Sequence, residues 1–104
     1  MTKSILQTCK ECYLCRRMYN LKTVKNLEMH HIVFGRGRRQ LSEQYGLKVW
    51  LCHYHHNEPP LGVHFNDVTR KDLTLDARRA FDALHGPGSF DRVFGDKIQE
   101  DSHG

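Results

Sequence analysis

The sequence predicts a single α+β domain in which two short strands precede a long helix, and three observations support this fold class. With 104 residues the chain has room for one hydrophobic core. Apolar and β-branched side chains are concentrated in residues 27–34 and 47–51, as in strands. Over residues 69–85 the apolar side chains recur at helical spacing.

The segments around the two strands carry turn signals. Residues 9–17 contain three of the four cysteines and are interpreted as turns. Leu41–Tyr45 favours one helical turn, which Gly46 would end. The two strands are therefore expected to form a hairpin-like pair with a basic connection between them.

The helix over residues 69–85 has recognisable ends. Thr69 and Asp72 resemble a capping box at its start, and Gly86 is a typical C-terminal stop. We expect residues 90–94 to fold back onto this helix and residues 100–104 to be a frayed tail. One face of the helix collects the apolar side chains Leu73, Ala77, Ala80, Phe81 and Leu84.

The composition favours a polyanionic partner and a reducing compartment. The formal net charge is +4 and the sequence pI is ≈ 9.0. The sequence lacks the roughly 20 consecutive apolar residues of a membrane span, and residues 1–7 do not resemble a signal peptide. We therefore expect a cytoplasmic protein that does not bind membranes. Cytosolic thiols stay reduced, so the four cysteines predict metal binding rather than disulfides.

Two pairs of residues have the spacing of a structural zinc site. Cys12 and Cys15 form a CxxC pair, and Cys52 with His55 repeats that spacing after the second strand. Four such ligands suit tetrahedral zinc, so we expect one structural Zn²⁺ on this set. Cys9 and Cys12 are also a CxxC pair, but Cys15 is preferred because it leads into the strand-forming region. The alternative is that these residues are buried thiols and a surface histidine.

Eight histidines in this short chain are unusual, and their positions carry a family resemblance. His30-His31-Ile32 lies on the first strand, and Leu51-Cys52 ends the second strand, two residues before His55-His56. With the segments CYLC, HHIVFG, SEQYGLKVWLC, HHNEPPLGVHFN and RVFG, this pattern resembles the HNH or ββα-metal endonucleases, especially compact phage and prophage members. The resemblance extends from Cys12 to about Gly95.

The resemblance implies a fold and a reaction. Residues 1–104 would form one nuclease domain, with a zinc knuckle at 9–17, a ββα-metal motif at about 27–66 and the helix at about 69–85 packed on it. The activity implied is metal-dependent hydrolysis of DNA phosphodiester bonds. A phage-encoded member would act in the cytoplasm of the host cell.

The resemblance also implies roles for individual histidines. His30 would bind the catalytic ion, and His31 would be the general base that activates water. His56 would be a second ligand and His64 a third. Family members often carry the third ligand on a helix, whereas Pro59 and Pro60 interrupt the chain here, so it would have to loop outward and return. The ion would be Mg²⁺, Mn²⁺, Zn²⁺ or Ni²⁺.

The sequence departs from the family pattern at two places. The asparagine that gives the family its middle letter is replaced by the stretch Gln44-Tyr45-Gly46, so Ser42, Glu43 or Gln44 would have to brace the loop instead. His55 stands where the family commonly has cysteine, a change that zinc tolerates.

DNA is the partner that the resemblance implies. Phosphate contacts are expected from the basic residues Arg36, Arg38, Arg39 and Lys48. A recruiting protein and a homodimer are both compatible with the sequence. The main alternative is a catalytically inactive zinc-dependent module that binds nucleic acid, and a disulfide-linked secreted domain is the weakest interpretation.

Overall fold

The computed structural model describes residues 3–33, 38–60 and 62–94. The elements in chain order are α1 (Tyr13–Tyr19), β1 (Leu27–His31), α2 (Arg38–Tyr45), β2 (Lys48–Cys52), α3 (His53–Asn57) and α4 (Asp67–His85). The predicted α+β class is confirmed: an antiparallel strand pair is followed by the short helix α3 and then by the long helix α4.

The two strands are antiparallel, and their register separates two chemically different faces. His30 lies opposite Val49, and His31 lies opposite Lys48. Successive strand side chains point to opposite faces, so His30 and Val49 share one face and His31 shares the other with Lys48 and Trp50. We call these the inner face and the outer face. Val49 and His30 are buried on the inner face.

The predicted turns around the first cysteines are wrong in part, because residues Tyr13–Tyr19 form the helix α1. Cys12 is its N-cap, and its sulfur accepts a hydrogen bond from the Cys15 amide at 3.4 Å. Asn20 ends the helix in the left-handed conformation. A helix this short has little intrinsic stability, so its cap and its packing, rather than its propensity, decide that it forms.

The connection between the strands contains a longer helix than the single turn expected. α2 begins at Arg38, and a positive φ of 74° at Gly46 follows its end. The Ser42 hydroxyl accepts from the Val33 amide at 3.0 Å and donates to the Val33 carbonyl at 2.6 Å. Ser42 is fully buried, so these two bonds fasten α2 to the end of β1.

The long helix α4 supplies much of the core, although its start differs from the prediction. The N-cap is Asn66, whose side chain accepts from the Thr69 amide at 2.9 Å, so a capping box at Thr69 is wrong. Leu73 and Phe81 are buried as expected. Leu84 is 61% exposed, because the apolar face does not extend to the last turn.

A final helical segment at residues 89–94 folds back onto α4, as expected. Phe90 and Phe94 are fully buried, and their ring centroids lie 6.0 and 5.8 Å from that of Phe81. The predicted frayed tail, residues 100–104, lies outside the described residues. Among the helices that the structure describes, none is long and apolar enough to span a membrane.

Candidate metal centres

The predicted zinc ligands come together where α1, β2 and α3 meet. Cys12 and Cys15 lie at the start of α1, Cys52 ends β2, and His55 lies in α3. We call the set Cys12, Cys15, Cys52 and His55 the Cys₃His cluster, and its ligand atoms all lie within 4.8 Å of one another. α3 follows β2 without an intervening residue, so the strand end determines where His55 points.

The distances within the Cys₃His cluster fit a tetrahedral ion. His55 Nδ1 lies 3.6, 3.4 and 3.3 Å from the sulfurs of Cys12, Cys15 and Cys52. The sulfurs of Cys15 and Cys52 are 3.8 Å apart. Ordinary zinc bond lengths in a tetrahedron predict S···N edges of about 3.6 Å and S···S edges of about 3.8 Å. The donor set and its spacing therefore fit one structural Zn²⁺.

Burial of the cluster also suits a closed structural site. Cys12 and His55 are 0% and 2% exposed. Burial lowers the pKa of His55, which keeps the imidazole neutral and able to bind a metal ion. Burial raises the pKa of the Cys12 and Cys52 thiols, so a metal ion has to displace their protons on binding.

The structure resolves the ambiguity over the three N-terminal cysteines. Cys9 is exposed, and its sulfur lies 3.9 Å from the Thr8 hydroxyl rather than within the Cys₃His cluster. Cys12 and Cys15 are both members of the cluster. The fold therefore brings Cys12 and Cys15, the pair preferred from the sequence, together with Cys52 and His55.

A second group of possible ligands consists of His30, His56 and His64, which we call the three-histidine group. His30 lies on the inner face of β1, His56 follows His55 in α3, and His64 lies in the loop before α4. The Nε2 atoms of His56 and His64 are 3.1 Å apart. Two imidazole nitrogens on one ion lie about 3.0 to 3.4 Å apart, so this group could hold a second metal ion.

Backbone hydrogen bonds just before His64 hold this part of the chain against α3. The Gly62 amide donates to the Glu58 carbonyl at 2.7 Å, and the Val63 amide donates to the His55 carbonyl at 2.8 Å. A Cβ at Gly62 would lie 2.7 Å from the Glu58 carbonyl oxygen, so only glycine fits this close approach. These contacts hold His64 beside α3, although His64 itself does not lie on a helix.

Glu28 is a functional candidate that the sequence analysis missed. Its Oε1 accepts from His56 Nδ1 at 2.8 Å and from the Asn57 amide group at 3.1 Å. With its Nδ1 proton donated, His56 keeps the Nε2 lone pair for an ion, as in carboxylate–histidine–metal arrangements. The available signal was the spacing of Glu28 and His30, because residues two apart on a strand share a face.

The electrostatics at His30 and His64 favour neutral imidazoles. Burial and the neighbouring His56, His64 and His31 lower the pKa of His30 to about 3. Burial, His56 and Arg70 also lower the pKa of His64. Protons therefore compete weakly for these nitrogens at neutral pH, which suits metal binding.

The residue expected to be the general base, His31, lies on the outer face in a charged network. Its Nε2 is 3.0 Å from Glu43 Oε1, and Glu43 Oε2 accepts from Lys48 Nζ at 2.5 Å. Lys48 and His31 lower the pKa of Glu43 to about 2, so Glu43 is a carboxylate at neutral pH. Of Ser42, Glu43 and Gln44, which were expected to brace the loop, Ser42 bonds to the Val33 backbone and Glu43 contacts His31.

The basic residues expected to contact DNA differ in their exposure. Arg39 is exposed on α2, whereas Arg38 is 7% exposed. Lys48 is 5% exposed and is paired with Glu43. Arg36 lies outside the described residues. Within the described part of the chain, Arg39 is thus the member of this set that presents its side chain to solvent.

The chain matches no protein-family model, and comparisons with curated proteins and with solved structures also found no match. The arguments about function therefore rest on the two groups of ligands and on their surroundings.

Replacing one cluster cysteine should remove the structural zinc, whereas replacing Cys9 should not. We expect Cys15→Ser to lose the ion and to unfold at much lower temperature, because zinc binding contributes directly to folding in small metal-bound domains. Cys9→Ser is the matched control and should keep the zinc content and melting temperature of the wild type. Elemental analysis and circular dichroism measure both. Zinc loss in Cys9→Ser would contradict the assignment.

Glu28→Gln should weaken the second metal site while leaving the Cys₃His cluster intact. Loss of the carboxylate that orients His56 should lower the affinity for Mn²⁺ or Ni²⁺ by about 10- to 100-fold. Calorimetric titration of the zinc-loaded protein measures this affinity. Glu58→Gln is the control, since Glu58 is exposed and contacts His53 instead. Equal affinities in the two variants would show that Glu28 does not support the site.

Proposed function

We propose that this protein is a metal-dependent endonuclease of the HNH type that hydrolyses DNA phosphodiester bonds. The observation that carries the proposal is the three-histidine group beside a separate Cys₃His cluster. A zinc module that only binds nucleic acid needs the closed cluster alone, and a second, partly exposed set of ligands has no structural purpose there. Hydrolysis requires an accessible ion and a base, and His31, the candidate base, directly follows the proposed ligand His30 on β1 although its side chain lies on the outer face.

His31 is the proposed general base, and Glu43 is the residue that orients it. With the Nε2 proton donated to Glu43, the Nδ1 atom is left to accept a proton from water. Glu43 would also stabilise the imidazolium that forms when that proton arrives. Lys48 holds the second oxygen of Glu43, which fixes the carboxylate in place.

His30, His56 and His64 would hold the catalytic divalent ion. When bound, this ion would neutralise negative charge that develops on the scissile phosphate. Imidazole ligands suit Zn²⁺, Ni²⁺ or Mn²⁺, and Mg²⁺ would keep several waters in such a site. His64 is exposed and His56 is partly buried, so the group is open to a substrate on one side.

The residues proposed to bring DNA to this site are cationic. Arg39 is exposed, and Arg36 precedes it by three residues in the sequence. Contacts from such residues go to the phosphate backbone and position the strand without reading its bases. The net charge of +4 adds a long-range attraction to the polyanion.

The proposed activity predicts that purified protein relaxes supercoiled plasmid when Mg²⁺, Mn²⁺, Zn²⁺ or Ni²⁺ is added. His31→Ala should lower the cleavage rate by about 100-fold or more, because a positioned general base contributes roughly that factor. His85→Ala is the control, since His85 is an exposed histidine at the end of α4. Zinc content and circular dichroism verify that each variant is folded.

Equal cleavage by wild type and His31→Ala would contradict the role of His31. Absence of cleavage by the folded wild type with every ion would contradict the nuclease assignment and would favour the zinc-dependent binding module. Cleavage lost in His31→Ala and retained in His85→Ala would support both the reaction and its base.

A further inference from the structure

A cavity of about 650 Å³ lies on the outer face of the strand pair, and its lining includes no member of either ligand group. β1 contributes Met29 to its wall, and β2 contributes Lys48, Val49 and Trp50. The N-terminal segment contributes the remaining lining apart from Glu43: Lys3, Ser4, Gln7, Thr8, Cys9 and Lys10. Its volume is within the range of sites that hold small organic ligands.

Main-chain contacts fix the walls of this cavity. The Trp50 amide donates to the side-chain oxygen of Gln7 at 2.9 Å, and the Ile5 amide donates to the Gly46 carbonyl at 2.9 Å. A Cβ at Gly46 would lie 2.3 Å from the Lys3 carbonyl oxygen, so the N-terminal segment packs closely against the turn before β2. The cavity is therefore a preformed part of the fold.

The lining of the cavity combines an aromatic ring with positive charge. Lys10 Nζ lies 4.4 Å from the centroid of the Trp50 ring, and Lys3 is a second exposed ammonium group on the same wall. The acidic side chain in the lining is Glu43, and Lys48 and His31 hold its two oxygens. Because Lys10 lies over the ring, a flat ligand stacked on that face would displace the ammonium group, which would then lie beside the ligand.

We propose that the cavity binds one unstacked nucleotide of a DNA strand, with its base against Trp50 and its phosphate beside Lys10. A ring next to lysines is the combination that recognises single-stranded nucleic acid, because any base can stack and every nucleotide carries a phosphate. The net charge of +4 and pI of ≈ 9.0 match a polyanionic ligand.

The position of the cavity connects this site with the proposed reaction. Glu43 lines the cavity and also accepts the hydrogen bond from His31. A nucleotide held against Trp50 would therefore place the adjoining phosphate near His31. The substrate class is thus DNA with a single-stranded or locally opened segment. This assignment rests on the proposed function in taking DNA as ligand, but binding can be measured without cleavage.

Trp50 is the single tryptophan of the chain, so its fluorescence reports on this cavity alone. The zinc-loaded full-length protein is titrated, without a second divalent ion, with a thymidylate strand of about eight nucleotides. A strand of equal length without bases is the comparison. We expect saturable quenching by the thymidylate strand and an affinity at least about fivefold weaker for the abasic strand.

Lysine variants test the charged part of the site. Lys10→Ala should weaken binding several-fold and reduce the slope of log affinity against log salt by about 0.7. The matched control is Lys71→Ala, an exposed lysine of α4 that does not line the cavity and should leave binding unchanged. Cys9 is exposed and lines the cavity, so bound thymidylate should also slow its alkylation by iodoacetamide.

Three outcomes would overturn the proposal: no saturable change in Trp50 emission, equal affinity for the abasic strand, or equal binding by Lys10→Ala and wild type. Equal affinity for the thymidylate and abasic strands would mean that the cavity binds phosphate groups and does not recognise bases. Plasmid cleavage without a change in Trp50 emission would contradict the nucleotide site in the cavity but would support the nuclease assignment. Quenching of Trp50 emission without plasmid cleavage in the presence of any of the ions would support the nucleotide site in the cavity but would contradict the nuclease assignment.

Discussion

The Cys₃His cluster joins α1, the end of β2 and α3, and the position of the second metal group depends on that junction. His55 belongs to the cluster and His56 follows it in the same short helix, so the cluster determines the direction in which His56 points. β1 brings His30 toward α3 through its pairing with β2. An ion held by the Cys₃His cluster would thus help to position side chains of the neighbouring three-histidine group.

This dependence has an energetic reason. A chain of 104 residues has only a modest core, and α1 and α3 contain 7 and 5 residues. Helices this short are unstable alone. An ion bound by residues from three elements would add its binding energy to folding and would also fix the geometry in which His30, His56 and His64 meet. The stability of the fold and the geometry of the proposed catalytic site would therefore both depend on the ion in the Cys₃His cluster.

The sequence predicted the parts of the site that depend on local spacing. Cysteine and histidine spacing indicated the Cys₃His cluster, and the family resemblance implied the three-histidine group. Residues joined through tertiary contacts were harder to predict. The helix α1 was missed because its cap is also a ligand, and Glu28 was missed because its partner His56 lies on another element. Ser42 and Glu43 were named together, but only the fold assigned each its contact.

Cobalt titration of the zinc-free protein would test most directly whether the chain holds two separate metal ions. The first equivalent should produce thiolate-to-cobalt charge-transfer absorption, and the second should bind without adding to it, since the three-histidine group contains no sulfur. His56→Ala should abolish only the second event. Saturation by one equivalent in the folded wild-type protein would contradict the account.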